Sequence, residues 1–166
     1  MTAPAGVAVR LVEPGDDLVA AGEIVRRAYF ALPGYPRDPE YDVEIGDVTA
    51  RVVDDDVALA VLDGRVVGCL TYVGPTSPHH EFDDAAAASF RFFGVDPSVQ
   101  GAGVGEAMVD WCVARARKQG WARLRIHTLD SMPAAQRLYQ RKGFVHDPAH
   151  DQDWDGILGI AFVMHL

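Results

Sequence analysis

Apolar and polar positions change period several times along the chain, and each change marks an element. Residues 7–12 (VAVRLV) alternate as a half-exposed strand does and stop at Glu13-Pro14-Gly15, a turn signal. Asp16 and Asp17 offer a helix N-cap. Leu18, Ala21, Ile24, Val25 and Ala28 follow at helical spacing, which predicts a first helix running to about Phe30. Residues 31–42 carry three prolines and a glycine and read as loop, and residues 43–52 hold a weak helical pattern. Residues 57–74 read as two strands joined by Asp63-Gly64, a pair suited to the positive φ of a tight hairpin. Residues 75–87 form a connection without a readable period.

The second half is more explicit. Residues 89–95 (SFRFFGV) form an aromatic and β-branched strand stopped by Asp96-Pro97. A glycine-rich turn at 100–105 opens a helix whose apolar set is Val104, Ala107, Met108, Trp111 and Cys112, and Gly120 ends it. A strand is expected over 122–129, a helix opens at Pro133 with Ala135, Leu138 and Tyr139 on one side, and Gly143 closes it. Residues 146–156 read as an acidic loop and 157–166 as a last strand. The order is β-α-(α)-β-β-β-α-β-α-β. With no internal repeat and no linker-like stretch, one α/β domain over residues 1–166 is expected.

Composition narrows the classes. The chain has 166 residues, 49% of them hydrophobic and 23% charged, which is the balance of a folded protein with a sizeable core. The net charge of −9 excludes a nucleic-acid partner held by bulk charge. Cys69 and Cys112 form no CxxC pair and no disulfide framework. The stretch MTAPAGVAVR lacks the basic and apolar regions of an export signal, and the longest apolar runs are too short to span a membrane. A cytoplasmic protein with no membrane partner is expected. The charge is also uneven: fifteen acids and six bases precede Asp84, whereas nine of each follow from there. Between Trp111 and His146 eight bases face the single acid Asp130. These bases are either the solvated faces of two helices or a patch that receives an anion.

A strand feeding a glycine-rich turn into a helix can grip phosphate, because convergent backbone N–H groups meet the positive end of the helix. The spacing decides which phosphate compound. A dinucleotide fingerprint beginning at Gly101 needs glycine where Glu106 stands, and no lysine follows as a P-loop requires. Gln100-Gly101-Ala102-Gly103-Val104-Gly105 matches Q/R-x-x-G-x-G/A instead, directly after Val95-Asp96-Pro97. Residues 135–144 (AQRLYQRKGF) match A-x-x-L-Y-x-x-x-G-F. On these two motifs, which cover about residues 89–144, the sequence resembles the GNAT superfamily of N-acetyltransferases.

The resemblance implies a mixed, mostly antiparallel sheet, with fourth and fifth strands splayed to admit acetyl-CoA as co-substrate and helices on its faces. The pantetheine arm would pair with Phe93, Gly94 and Val95. The pyrophosphate would rest on the amides of Gln100, Gly101, Ala102, Gly103, Val104 and Gly105, and the basic run up to Lys142 would neighbour the 3′-phosphate. The implied reaction is acetyl transfer to a primary amine by direct attack, through a tetrahedral intermediate. Tyr139 matches the tyrosine that protonates the leaving thiolate; on helical spacing alone it reads as a core aromatic one turn from Ala135. Relatives often carry a glutamate on the fourth strand, near Ser89 here, and an asparagine where Met132 stands.

The base is therefore open among Glu81, Asp83, Asp84, His79, His80, His127, Asp130 and a water chain. The acidic first half favours a cationic acceptor. His146, Asp147, His150 and Asp151 lack the spacing of a metal site, so none is expected. The stretch 151–155, with Trp154, is either a solvated loop or part of an acceptor pocket. The apolar last strand could pair across a homodimer or lie buried in the sheet. The rival function is an acyl-CoA-binding sensor without turnover, which the missing fourth-strand carboxylate keeps open.

Overall fold

The structure, a computed structural model, describes residues 6–166. The reading of an absent export signal rests partly on residues 1–5, which lie outside the described residues. Strand β1 (Val7–Leu11) leads to helix α1 (Leu18–Phe30), followed by α2 (Pro39–Gly46) and α3 (Val48–Asp54). Three strands come next: β2 (Asp56–Leu62), β3 (Arg65–Val73) and β4 (Ala87–Val95). Then come α4 (Val104–Gln119), β5 (Arg123–Leu129), α5 (Pro133–Arg141), β6 (Val145–His146), β7 (Gln152–Trp154) and β8 (Ile157–His165).

These strands form one mixed sheet in the order β1-β2-β3-β4-β5-β8-β6, with β7 also paired to β8. Every pairing is antiparallel except β4 with β5. The sheet separates two apolar clusters. One joins Phe90, Met108, Cys112, Leu124, Tyr139 and Phe162 beneath α4 and α5, and the other joins Val25, Ile45, Val48, Leu59, Cys69 and Phe92 beneath α1, α2 and α3. Strand β8 lies inside the sheet with β5 on one edge and β6 and β7 on the other, so its apolar character serves the core.

Two sequence expectations need correction. The segment 31–42 is not all loop, because α2 begins at Pro39. Proline at the first helical position removes an N–H that has no helical partner anyway, and Asp38 accepts from the amides of Glu40 and Tyr41. Asp47 caps α3 in the same way. Likewise, the stretch 146–156 contains β7. Asp155 and Gly156 both take positive φ and turn β7 into β8 as Asp63 and Gly64 turn β2 into β3.

The root of the β4–β5 pair is tied by charge. Asp84 accepts from Arg123 at 2.8 and 2.9 Å and from Arg125 at 2.7 Å, and Arg125 reaches Asp147 at 2.6 Å. The Arg123 guanidinium, joined by that of Arg125, holds the Asp84 carboxyl well below the usual carboxylate range. Such a depressed group stabilises the fold above the ordinary carboxylate value, and the contribution fades as pH falls below about 4. Replacing Asp84 by Asn is expected to lower unfolding free energy by about 2 kcal/mol at pH 7. The variant should also lose less stability than the parent between pH 5 and 3, which urea melts at several pH values would check.

Candidate functional site

Strands β4 and β5 pair over two residues, Ala87 with Arg123 and Ala88 with Leu124, and not beyond. Past that rung the edge of β4 that faces β5 has no strand partner, while its other edge stays on β3. The β3–β4 register slips by one residue between Arg91 and Gly94, so Phe92 and Phe93 stand against the single residue Leu70. This is a β-bulge, and Phe92 takes φ +50°, a region costly for a bulky side chain. Packing holds it there: Phe92 is buried beneath Tyr41 and between the guanidiniums of Arg51 and Arg91, at 4.1 and 4.4 Å.

Arg51 is itself buried, with no carboxylate partner in the described residues. It donates to Thr71 Oγ1 and to the carbonyls of Glu44 and Ile45, the negative end of α2. Gly94 lets α1 press against β4, since a Cβ there would stand 2.7 Å from the Val25 Cα. The bulge and this close approach together carry the end of β4 toward α1 and away from β5.

The glycine loop sits at the end of β4. Gly101 and Gly103 have φ of +85° and +81°, where other residues are strained. Gly103 is the N-cap of α4 and supplies no side-chain acceptor, so the first amides of that helix stay free. A Cβ on Gly105 would lie 3.4 Å from Leu138, 3.7 Å from Phe93 and 3.9 Å from Val95. The structure thus gathers Phe93, Gly94 and Val95 with Gln100, Gly101, Ala102, Gly103, Val104 and Gly105 around one mouth, beside α5.

Tyr139 sits on α5 against Phe90, Phe144 and Phe162, with ring centres 5.8–6.1 Å away. Burial pushes its hydroxyl above the ordinary tyrosine value, so it keeps its proton at neutral pH. Among the described residues the hydroxyl makes no side-chain hydrogen bond. Across the sheet on α1, Tyr29 packs edge-on against Tyr35 at 5.7 Å, and burial pushes its hydroxyl above the ordinary tyrosine value.

On the α1 side the loop before β4, unreadable in sequence, folds over the opening. The His79 carbonyl and the Glu81 carboxylate both receive Arg91, the latter at 3.2 Å, and Glu81 also lies 3.4 Å from His127. Phe82 stacks on His127 at 4.3 Å. His79 pairs with the buried Asp55 at 2.6 Å at the α3–β2 corner, on the side of β4 away from β5. His80 sets Nε2 against the Ala87 carbonyl and Nδ1 against the Phe82 backbone, and Asp130 and Asp83 are exposed. Ser89 is buried on β4, so no carboxylate stands at that point of the strand. Met132 caps α5 without a side-chain hydrogen bond, so the first turn of α5 has no side-chain cap.

The run of bases is not one patch. Arg115 pairs with Asp56, Arg123 and Arg125 with Asp84, Arg141 with Glu106, and Lys142 with Asp110. Arg117, Lys118 and Arg137 are exposed and form no ion pair among the described residues. Of these, only Arg137 sits on α5, one residue from the Leu138 that borders the glycine loop. No group of three or more His, Cys, Asp or Glu side chains converges among the described residues as a metal site would.

The sequence profile of the Acetyltransferase (GNAT) family matches residues 20–144, so the chain belongs to that family. The mycothiol acetyltransferase of Cellulomonas flavigena is 31% identical over 146 residues, covering 85% of this chain and 41% of the relative. That of Geodermatophilus obscurus is 29% identical over 151 residues, covering 91% of this chain and 48% of the relative. The chain thus spans less than half the length of these curated relatives. A GCN5-related N-acetyltransferase from Kribbella flavida superposes with a TM-score of 0.70 at 24% identity, covering 97% of this chain and 98% of that one. A GNAT acetyltransferase from Elizabethkingia anophelis, solved with acetyl-CoA bound, gives 0.68 at 16% identity over 98% and 99% of the two chains. Acetyl-CoA is the co-substrate of the family.

The close approach at Gly94 is directly testable. Replacing Gly94 by Ala drives a methyl group into the backbone of α1 and is expected to lower stability by about 2 kcal/mol. The same substitution at Gly74, where nothing lies within 4 Å, should change the melting temperature far less.

Proposed function

We propose that the protein transfers an acetyl group from acetyl-CoA to a primary amine, in the cytoplasm. The observation that carries this reading is the free edge of β4 opposite β5, next to a helix N-terminus with uncapped amides. An unpaired strand edge needs hydrogen-bond partners, and the amide groups of a pantetheine arm supply them at Phe93, Gly94 and Val95. Amides of residues 100–105 then receive the pyrophosphate, and Arg137 is placed for the remaining phosphate. Two buried, unpaired cysteines suit a reducing compartment.

The thioester carbonyl would then lie at the bulge, where β4 backbone amides turned toward the opening can stabilise the oxyanion, a contribution of about 3 kcal/mol. The neutral amine attacks the carbonyl carbon, a tetrahedral intermediate forms, its nitrogen gives up one proton to solvent, and the C–S bond breaks. The Tyr139 hydroxyl, which keeps its proton, donates it to the departing thiolate. The acidic first half favours a cationic acceptor, and the acceptor of the mycothiol acetyltransferases is a direct candidate.

Thiol release from acetyl-CoA, measured with cationic, neutral and peptide amines and with that acceptor, tests the reading. Acceptor-dependent release is expected. Tyr139→Phe should lower kcat about 100-fold with acetyl-CoA affinity unchanged. Tight acetyl-CoA binding with no release for any amine would point to the sensor, which the absence of a carboxylate at Ser89 favours.

A further inference from the structure

The opening between β4 and β5 is bridged on the α1 side by one carboxylate. The last shared rung joins Ala88 to Leu124, and Arg91 and His127 each lie three residues beyond it on their strands. Three residues is an odd step, so both side chains turn to the face opposite Ala88 and Leu124, which belong to the cluster under α4. Glu81 Oε1 stands 3.2 Å from Arg91 Nε and 3.4 Å from His127 Nδ1. It therefore hangs over the gap in which the thioester of the proposed reaction would lie.

The proton inventory of this pair follows from its partners. His127 Nε2 is 2.9 Å from the His150 carbonyl, which only accepts, so Nε2 carries the hydrogen. The lone pair of Nδ1 then faces the Glu81 carboxylate. At 3.4 Å the two acceptors stand further apart than a charge-assisted hydrogen bond. A hydrogen placed on either atom points at the other. The ring cannot turn away, because Phe82 stacks on it at 4.3 Å and Trp154 meets it edge-on at 5.4 Å. The His127 side chain is 3% exposed and that of Glu81 22%, so Glu81 is the member a ligand can reach.

We infer that Glu81 is the base that deprotonates the acceptor, and that His127 positions it and shares the proton. The inference rests on the acetyl transfer proposed above. An N–H bond of the acceptor ammonium breaks, its electron pair stays on nitrogen, and the proton passes to a Glu81 oxygen. It is held between that oxygen and Nδ1. The freed lone pair attacks the thioester carbonyl carbon, the C–S bond breaks as the thiolate takes the Tyr139 proton, and the second N–H proton leaves the former amine for solvent, so that the product is a neutral amide. Tyr139 regains a proton from solvent, and the Glu81–His127 pair releases its own through the exposed edge of Glu81. Among the described residues, the charged or titratable groups around the pair are Arg91 from β4, Tyr41 from α2, and His150 and Asp151 from the turn before β7.

The test uses whichever amine supports turnover by the parent protein. Glu81→Gln should lower kcat about 100-fold or more with acetyl-CoA affinity within about twofold, and Glu81→Asp should recover part of the rate. His127→Gln should lower kcat less, again without loss of acetyl-CoA binding. Both deficits should shrink as pH rises and the amine arrives already neutral, whereas a structural defect would persist at every pH. Turnover of Glu81→Gln within a few-fold of the parent, or a deficit independent of pH, overturns the assignment of the base alone. A parent protein that binds acetyl-CoA yet acetylates no amine overturns the transfer itself, and this inference with it.

Discussion

Strands β4 and β5 share two rungs, and what lies beyond them follows from how β4 is pulled away. A parallel pair left to itself would continue, because each further rung adds hydrogen bonds. Here the bulge at Phe92 increases the local twist, and Gly94 lets α1 draw the strand onto its own face. The result is a row of backbone groups with one edge unpaired, next to a helix N-terminus whose amides are also unpaired. Both are liabilities in an isolated fold and assets for a ligand with amides in its arm and a pyrophosphate at its head.

Holding a phenylalanine at φ +50° costs of order 1–3 kcal/mol, so its surroundings must over-determine it. Arg51 is the chief reason they do. It is a buried cation with no carboxylate partner among the described residues, satisfied by one hydroxyl and two carbonyls at the end of α2, with its guanidinium over the Phe92 ring. Removing any of those acceptors would leave a buried donor unmet. At the other end, Asp84 fastens Arg123 and Arg125 so that the root stays closed while the tips part. One end of the strand pair is fixed by charge and the other opened by packing.

The motif-bearing half of this arrangement was legible in the sequence. The glycine spacing at 100–105 and the Leu138-Tyr139 segment are local signals, and local signals survive without a structure. The opening between the fourth and fifth strands followed only through the family resemblance. Helix α2 is hidden in sequence because three prolines in residues 31–42 read as breakers, although Asp38-Pro39 is also the signature of a helix start. The β7–β8 hairpin was missed although Asp155-Gly156 repeats the dipeptide read correctly at Asp63-Gly64. The Phe92 bulge has no sequence signal, since nothing local marks a phenylalanine for positive φ. Nor could Glu81, Arg91 and His127 be joined by spacing, for they come from a loop and two strands. Only the shared register of β4 and β5 brings them level. The basic run is contiguous in sequence but divided among separate acids in space.

Amide hydrogen exchange with and without acetyl-CoA tests the central claim most directly, because it reads backbone groups one by one. Binding should slow exchange at residues 93–95 and 100–105 while leaving the paired core of β2 and β3 unchanged. Acetyl-CoA that binds yet leaves those two segments exchanging at their free rates would contradict the account of the cleft.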